Sequence, residues 1–261
     1  MAIKTSFCTR VMRIIKLLAW LYATGKRLGR LDGATLEQRH QTLRDLSVAC
    51  LKILNVHLDT RYHAENQPKT GLLIAANHIS WLDIFVLSAL YPASFIAMQE
   101  IKKWPIIGKI VGNAGTVFID RSSRKDIDVI NAAISQELER DGNVCFFPEA
   151  RTTLGNGVLP LKAALFQAAL NSNQAVQPIV LRYYDNQTRT QAVSFAGINL
   201  LRSLWQIVSI ERIDVKVDVC AQILPSSLAE QDRFLMKDEV ERCLSEIVLL
   251  DSPEPNKILP E

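Results

Sequence analysis

His78 stands five residues before Asp83 in the run 74–83, IAANHISWLD, at the end of an apolar stretch. An imidazole beside a carboxylate makes a general base. The ring takes a proton from a substrate hydroxyl, while the carboxylate fixes the tautomer and steadies the imidazolium. The apolar residues 72–76 read as a short buried strand, so His78 falls at a strand exit, where open α/β sheets bind ligands. Spacing alone does not single out this pair. The histidines are His40, His57, His63 and His78, and His40 also has an Asp five positions on, at Asp45. That second pair lies in a polar helical stretch and reads as a solvated helix face. Asp83 itself has a plainer reading, as the fourth member of a capping box that begins at Ser80.

Three further strand boundaries carry polar residues. Gly115 opens GTVFIDR, which puts the Arg121 guanidinium just after a strand. The run 146–153, FFPEARTT, puts Glu149 and Arg151 after the next one. VQPI at 176–179 begins a third. Taken singly, Arg121 reads as a surface ion-pair partner and Glu149 as a helix cap, since charged residues belong at the surface.

The elements that must position these residues alternate. Strands are expected at 56–62, 72–76, 94–97, 116–119, 144–147, 175–182 and 215–223. Helices are expected at 5–30, 35–54, 80–90, 125–140, 161–170 and 229–249, with another opening near 102. The helix at 125–140 is the clearest, because Ile127, Ile130, Ile134 and Leu138 recur at helical spacing. Strand–helix alternation from 70 to 182 predicts an α/β fold, with a mixed, largely parallel sheet flanked by helices. Residues 1–55 form an expected N-terminal pair of membrane-associating helices. Residues 56–250 form the main domain, and 251–261 are expected to fray.

The net charge of +3 conceals an asymmetry. Seven Lys and Arg and no acid precede Asp32, so that segment carries +7 and the remainder −4. Its longest apolar run is LLAWLYA at 17–23, far short of the ~20 residues that a spanning helix needs. No small-residue cleavage site marks a signal peptide. On a helical wheel Arg10, Arg13 and Lys16 share one side, with Leu17, Leu18, Trp20 and Leu21 largely elsewhere. An interfacial helix fits, with the basic side among anionic headgroups and Trp20 and Tyr22 at headgroup depth. An ordinary amphipathic helix packed on the domain gives the same pattern. The apolar content is too high for a nucleic-acid arm. The five cysteines show no CxxC and no metal spacing with histidine, which reads as reduced thiols of a protein facing the cytoplasm.

Taken in order, the polar strand ends resemble the four motifs of the glycerolipid acyltransferases, the group that includes 1-acyl-sn-glycerol-3-phosphate acyltransferase. Asn77-His78 to Asp83 matches NHxxxxD, and Gly115 to Arg121 matches GxxFIxR. Phe147-Pro148-Glu149 opens the third motif, usually FPEGT, and Val176 to Ile179 is similar to the fourth, a hydrophobic stretch with a central Pro. The resemblance implies acyl transfer from a thioester, acyl-carrier protein or acyl-coenzyme A, to the free hydroxyl of a 1-acylglycerol-3-phosphate, giving phosphatidic acid. His78 is then the base and Asp83 its orienting partner. Arg121, beside Gly115, is the phosphate contact, and Glu149 orients the acceptor. No metal and no bound cofactor are required, and the implied site of action is the cytoplasmic face of the inner membrane. One departure stands out. Where the family has FPEGTR, this chain has Ala150, Arg151 and Thr152, so the family's Arg falls on Thr152 and Arg151 sits one position away. That departure, with FIDR and GNGVLP, also resembles enzymes that acylate lyso-ornithine lipid, which has no phosphate. A non-catalytic lipid-binding scaffold and a hydrolase using the same dyad on water are the other readings.

Overall fold

In the computed structural model of the chain, residues 4–31, 33–65, 67–98, 117–119 and 125–260 are described. Two helices come first, α1 (Phe7–Leu28) and α2 (Leu36–Ile53). Ser6 caps α1 by accepting the Thr9 N–H, and Thr35 with Gln38 makes a reciprocal capping box on α2. Then follow β1 (Val56–Tyr62), β2 (Leu73–Ala76), α3 (Leu82–Leu90), β3 (Ser94–Met98), β4 (Val117–Ile119), α4 (Lys125–Glu139) and β5 (Val144–Phe146). The chain closes with α5 (Gln167–Ser172), β6 (Val176–Asp185), β7 (Thr188–Arg189), α6 (Leu200–Ser209), β8 (Ile213–Val219) and α7 (Arg233–Leu249). The helix expected near 102 lies outside the described residues, as do Gly115 and Arg121.

The sheet runs β1-β8-β6-β2-β5-β3-β4, with β7 paired to β6. Among the strands of the described residues, only the β6–β8 and β6–β7 pairs are antiparallel. β2 sits near the centre, parallel to both β5 and β6, and all four of its residues are buried. A strand covered on both faces reads as a continuous apolar run, and LIAA is one. Successive residues then feed opposite layers. Ile74, Ala76, Leu181 and Tyr183 pack with α2, α3 and the end of α6. Leu73, Ala75, Phe146 and Val180 pack with α4, α5 and α7. The fold is the expected α/β one, a mixed, largely parallel sheet flanked by helices.

Three local expectations need correction. The strand expected at 215–223 runs from Ile213 to Val219, four residues short of its expected end. The segment 161–170 is not one helix: a short 3₁₀ turn (Ala164–Phe166) leads into α5. Leu161 N–H is taken by the Glu241 carboxylate and Lys162 N–H by Pro148 O, so the backbone there is bonded outward rather than to its own turn. The tail expected to fray is held instead. Asp251 accepts hydrogen bonds from Tyr184 and Arg189 and pairs with Arg182 at 3.1 Å. Beyond it Ser252 Oγ donates to Asn156 O, Asn156 Nδ2 donates to Lys257 O, and Leu154 N–H donates to Ile258 O at 2.8 Å. Residues 251–260 thus strap the loop 154–157 onto the domain.

Candidate active site

β2 and β5 are parallel neighbours, so the loops leaving their C-terminal ends meet. One carries His78 and the other Glu149. Asn77 makes the exit from β2: its side chain accepts the Leu181 N–H at 2.8 Å and donates to Leu181 O at 3.0 Å, copying a ladder pairing as the chain turns away. His78 follows at the turn. Its Nδ1 lies 2.8 Å from Asp83 Oδ2. A carboxylate only accepts, so Nδ1 holds the proton and Nε2 is left as the lone-pair nitrogen. The ring stacks on Phe147 at 3.8 Å between centroids and 10° between planes, and Phe147 stacks in turn on Phe95.

Asp83 is fully buried, and its carboxylate is saturated with donors. Oδ2 also accepts Ile79 N–H at 2.7 Å and Ser80 N–H at 2.9 Å, and Oδ1 accepts the Tyr183 hydroxyl at 2.6 Å. Of the capping-box reading only one half is present: Asp83 accepts the Ser80 N–H, while its own N–H goes to Ser80 O and not to the Ser80 side chain. The same carboxylate holds the turn and the imidazole at once. The helix itself begins at Leu82, two residues later than expected. Burial pushes the Tyr183 hydroxyl well above the ordinary phenol range, reinforced by the Asp83 charge, so it stays a donor.

Glu149 is buried and uses both oxygens on backbone. Oε1 accepts the His78 N–H and Oε2 the Leu159 N–H, each at 2.8 Å. Burial pushes its carboxyl up to about 7, against the two backbone bonds that favour the charge, with Asp83 adding a smaller upward push. Glu149 thereby joins the catalytic turn to the loop that follows the third motif. Thr153 makes a second join: its N–H donates to His78 O at 2.8 Å. Its Oγ1 receives the Gly155 N–H, and Ser194 Oγ donates to Thr153 O at 2.7 Å. Gly155 has φ +82, and a Cβ there would meet Ile79 Cδ1 at 2.7 Å, so the loop lies directly against the His78 turn. At the departure from FPEGT, Ala150 takes φ +65, a left-handed conformation that favours glycine. Arg151 is exposed and Thr152 half-buried.

The structure thus brings His78, Asp83 and Glu149 together. It adds Tyr183, Phe147 and Thr153, which spacing does not reveal. Phe147 and Thr153 had a signal in the motif-like run 146–153. Tyr183 had none, being 100 residues from Asp83.

The Acyltransferase family profile matches residues 59–182, which contain all of these groups except Tyr183, one residue beyond. A 1-acyl-sn-glycerol-3-phosphate acyltransferase of Neisseria meningitidis serogroup B is 46% identical over 95% of this chain and 97% of its own length. A lyso-ornithine lipid O-acyltransferase of Pseudomonas aeruginosa is 32% identical over 82% of each chain. The crystal structure of a 1-acyl-sn-glycerophosphate acyltransferase from Thermotoga maritima superposes with a TM-score of 0.70, covering 92% of this chain and 93% of that one at 14% identity. That likeness is one of fold. Despite FIDR and the altered third motif, sequence similarity is greater to the lysophosphatidate enzyme than to the lyso-ornithine one.

Proposed function

The chain belongs to the acyltransferase family, and we propose that it transfers a fatty acyl group from an acyl thioester to the free hydroxyl of 1-acyl-sn-glycerol-3-phosphate, forming phosphatidic acid. The observation that carries the chemistry is the His78–Asp83 pair at 2.8 Å, with the ring clamped on Phe147 at a strand exit. His78 Nε2 takes the acceptor's hydroxyl proton as that oxygen attacks the thioester carbonyl. Collapse of the tetrahedral adduct expels the thiolate, which takes the same proton back from the imidazolium. Asp83 keeps the reactive nitrogen pointed outward and stabilises the charged ring. The acceptor hydroxyl is itself the nucleophile, so no acyl-enzyme is needed.

Glu149 serves as a positioning residue, because its two oxygens are occupied by the His78 and Leu159 backbone. Arg121 binds the acceptor phosphate, a role suited to a guanidinium fork. The thioester belongs to acyl-carrier protein or coenzyme A. The work takes place at a membrane surface, for which the strongly basic α1 is suited, on the side facing the cytoplasm, where scattered free cysteines such as Cys50, Cys145 and Cys220 stay reduced. Among the described residues no helix is long and apolar enough to cross a bilayer.

The test offers 1-acylglycerol-3-phosphate and lyso-ornithine lipid side by side with an acyl thioester. Phosphatidic acid is the expected product, and His78→Ala lowers its rate by on the order of a thousandfold. Product only from lyso-ornithine lipid, or a His78→Ala enzyme of normal turnover, overturns the reading.

A further inference from the structure

α1 does not present its basic side outward in the way a simple wheel suggests. Arg13 is buried, and its guanidinium bonds Val208 O at 3.2 Å, Ile210 O at 2.5 Å and Glu211 O at 2.8 Å. These are carbonyls at the C-terminal end of α6 and just beyond it, where a cation is favoured. Thr5 adds two bonds to the same segment, N–H to Ser209 O and Oγ1 to Val208 O. α1 and α6 are therefore stitched into one unit.

The outward side of α1 is an apolar stripe of Phe7, Val11, Met12, Ile15, Leu18 and Tyr22, all exposed. α6 continues it. Leu201 is 79% exposed and Trp205 42%, and Trp205 lies 6.3 Å from the Phe7 ring, with the Arg10 guanidinium over its face. α2 is different: outward it shows Glu37, Gln41, Arg44, Asp45 and Lys52, with Val48 as its one exposed large apolar residue. An apolar area of this extent with nothing over it marks an interaction surface.

We infer that α6 is the second half of the bilayer-contact face, so that the chain docks on an anionic lipid surface through α1 and α6 together. Charge selects that occupant. Neither residues 4–31 nor α6 contain an acid, while Lys4, Lys16, Lys26 and Arg202 are exposed on or beside the two helices. The apolar stripe enters the acyl boundary and the cations meet the headgroups. The site lies immediately behind. Trp81, in the turn between His78 and Asp83, donates its indole N–H to Ser203 of α6 at 3.1 Å. Phe85 of α3 packs edge-on against both Trp81 and Trp20 of α1. One layer of aromatic side chains separates the lipid face from the catalytic turn, which gives a lysolipid a short route from bilayer to His78.

This inference deepens the membrane part of the proposed function and is tested without any acyl donor or lysolipid. Binding to vesicles of phosphatidylethanolamine and phosphatidylglycerol is measured by co-sedimentation. Leu201→Asp weakens binding ~tenfold or more, because an exposed Leu that would be buried in lipid becomes a charge facing anionic headgroups. Its unfolding midpoint stays that of the parent, since the side chain packs on little. Val48→Asp on α2 binds as the parent does. Lipids brominated along the acyl chain quench the tryptophan emission, and Trp205→Phe removes that part of the quenching. Parent-like binding by Leu201→Asp, quenching unchanged in Trp205→Phe, or equal weakening by Val48→Asp overturns the inference. Normal vesicle binding with no acyl transfer in the separate assay would fault the enzymatic reading instead.

Discussion

Asp83 illustrates how much a single side chain carries in this fold. It accepts from an imidazole, two backbone amides and a phenol, and is itself fully buried. A hydrogen bond to a buried charge contributes about 1.5–3 kcal/mol, so removing one donor is felt without destroying the turn. Tyr183→Phe is expected to lower kcat roughly three- to tenfold with KM unchanged, since the ring of His78 is held less firmly while the substrate's own contacts remain. A KM rise at constant kcat would contradict that role. Glu149 gives a second expectation, with a definite sign. Its folded pKa of about 7 lies above the ordinary 4.5, so the folded chain holds a proton that the unfolded chain has lost between those values. Stability from this group is fully present below pH 4.5 and is lost as pH rises through 7, a fall of about 3 kcal/mol. Denaturant unfolding at pH 4.5 and pH 8 should show that component in the parent and not in Glu149→Gln, which does not titrate. His78 and Asp83 were legible in the sequence because they share one turn. Tyr183 and the Glu149 backbone contacts were not, because strand pairing rather than spacing brings them there.

The loops at the strand ends are where the elements of this chain are least regular. The strands and most helices follow from apolar periodicity, and β2, β5 and β6 fall within a residue or so of where the pattern puts them, save that β6 runs on to Asp185. The misread segment after Pro160 failed for a physical reason. Its amides are spent on Glu241 and Pro148, and no local propensity reports such distant partners. The held tail is the same kind of miss: DSPEPNKILP has the composition of a loose end, yet Asp251 sits between Arg182 and Arg189. At the third-motif turn, where the family has Gly, Ala150 keeps the left-handed φ of +65. An L-residue there costs about 1 kcal/mol relative to glycine. Ala150→Gly should therefore stabilise the chain by about that amount in thermal or denaturant unfolding. A loss of stability would mean that the methyl group contributes packing worth more than the strain.

At the scale of the whole molecule, the +7 of the first thirty residues is the feature that sequence alone displayed, and its partner helix is the feature it hid. α6 is ten residues of ordinary amphipathic pattern. That Leu201 and Trp205 face outward beside Phe7 follows only from the packing of α6 against α1 and from the Arg13 bonds that fix its end. Arg13 thus leaves the headgroup-facing set, and the remaining exposed cations act at long range rather than by insertion. Attraction of that kind is screened over a Debye length of ~10 Å at 0.1 M salt and ~3 Å at 1 M. The apolar stripe is not screened. Raising salt from ~0.01 M to ~0.5 M should therefore weaken binding to anionic vesicles markedly while leaving a residual affinity, and binding to purely zwitterionic vesicles should be weak and nearly insensitive to salt. Co-sedimentation across that range separates the two contributions. Complete loss of binding at high salt would mean that the stripe on α1 and α6 does not enter the bilayer and that charge alone brings His78 to its lipid.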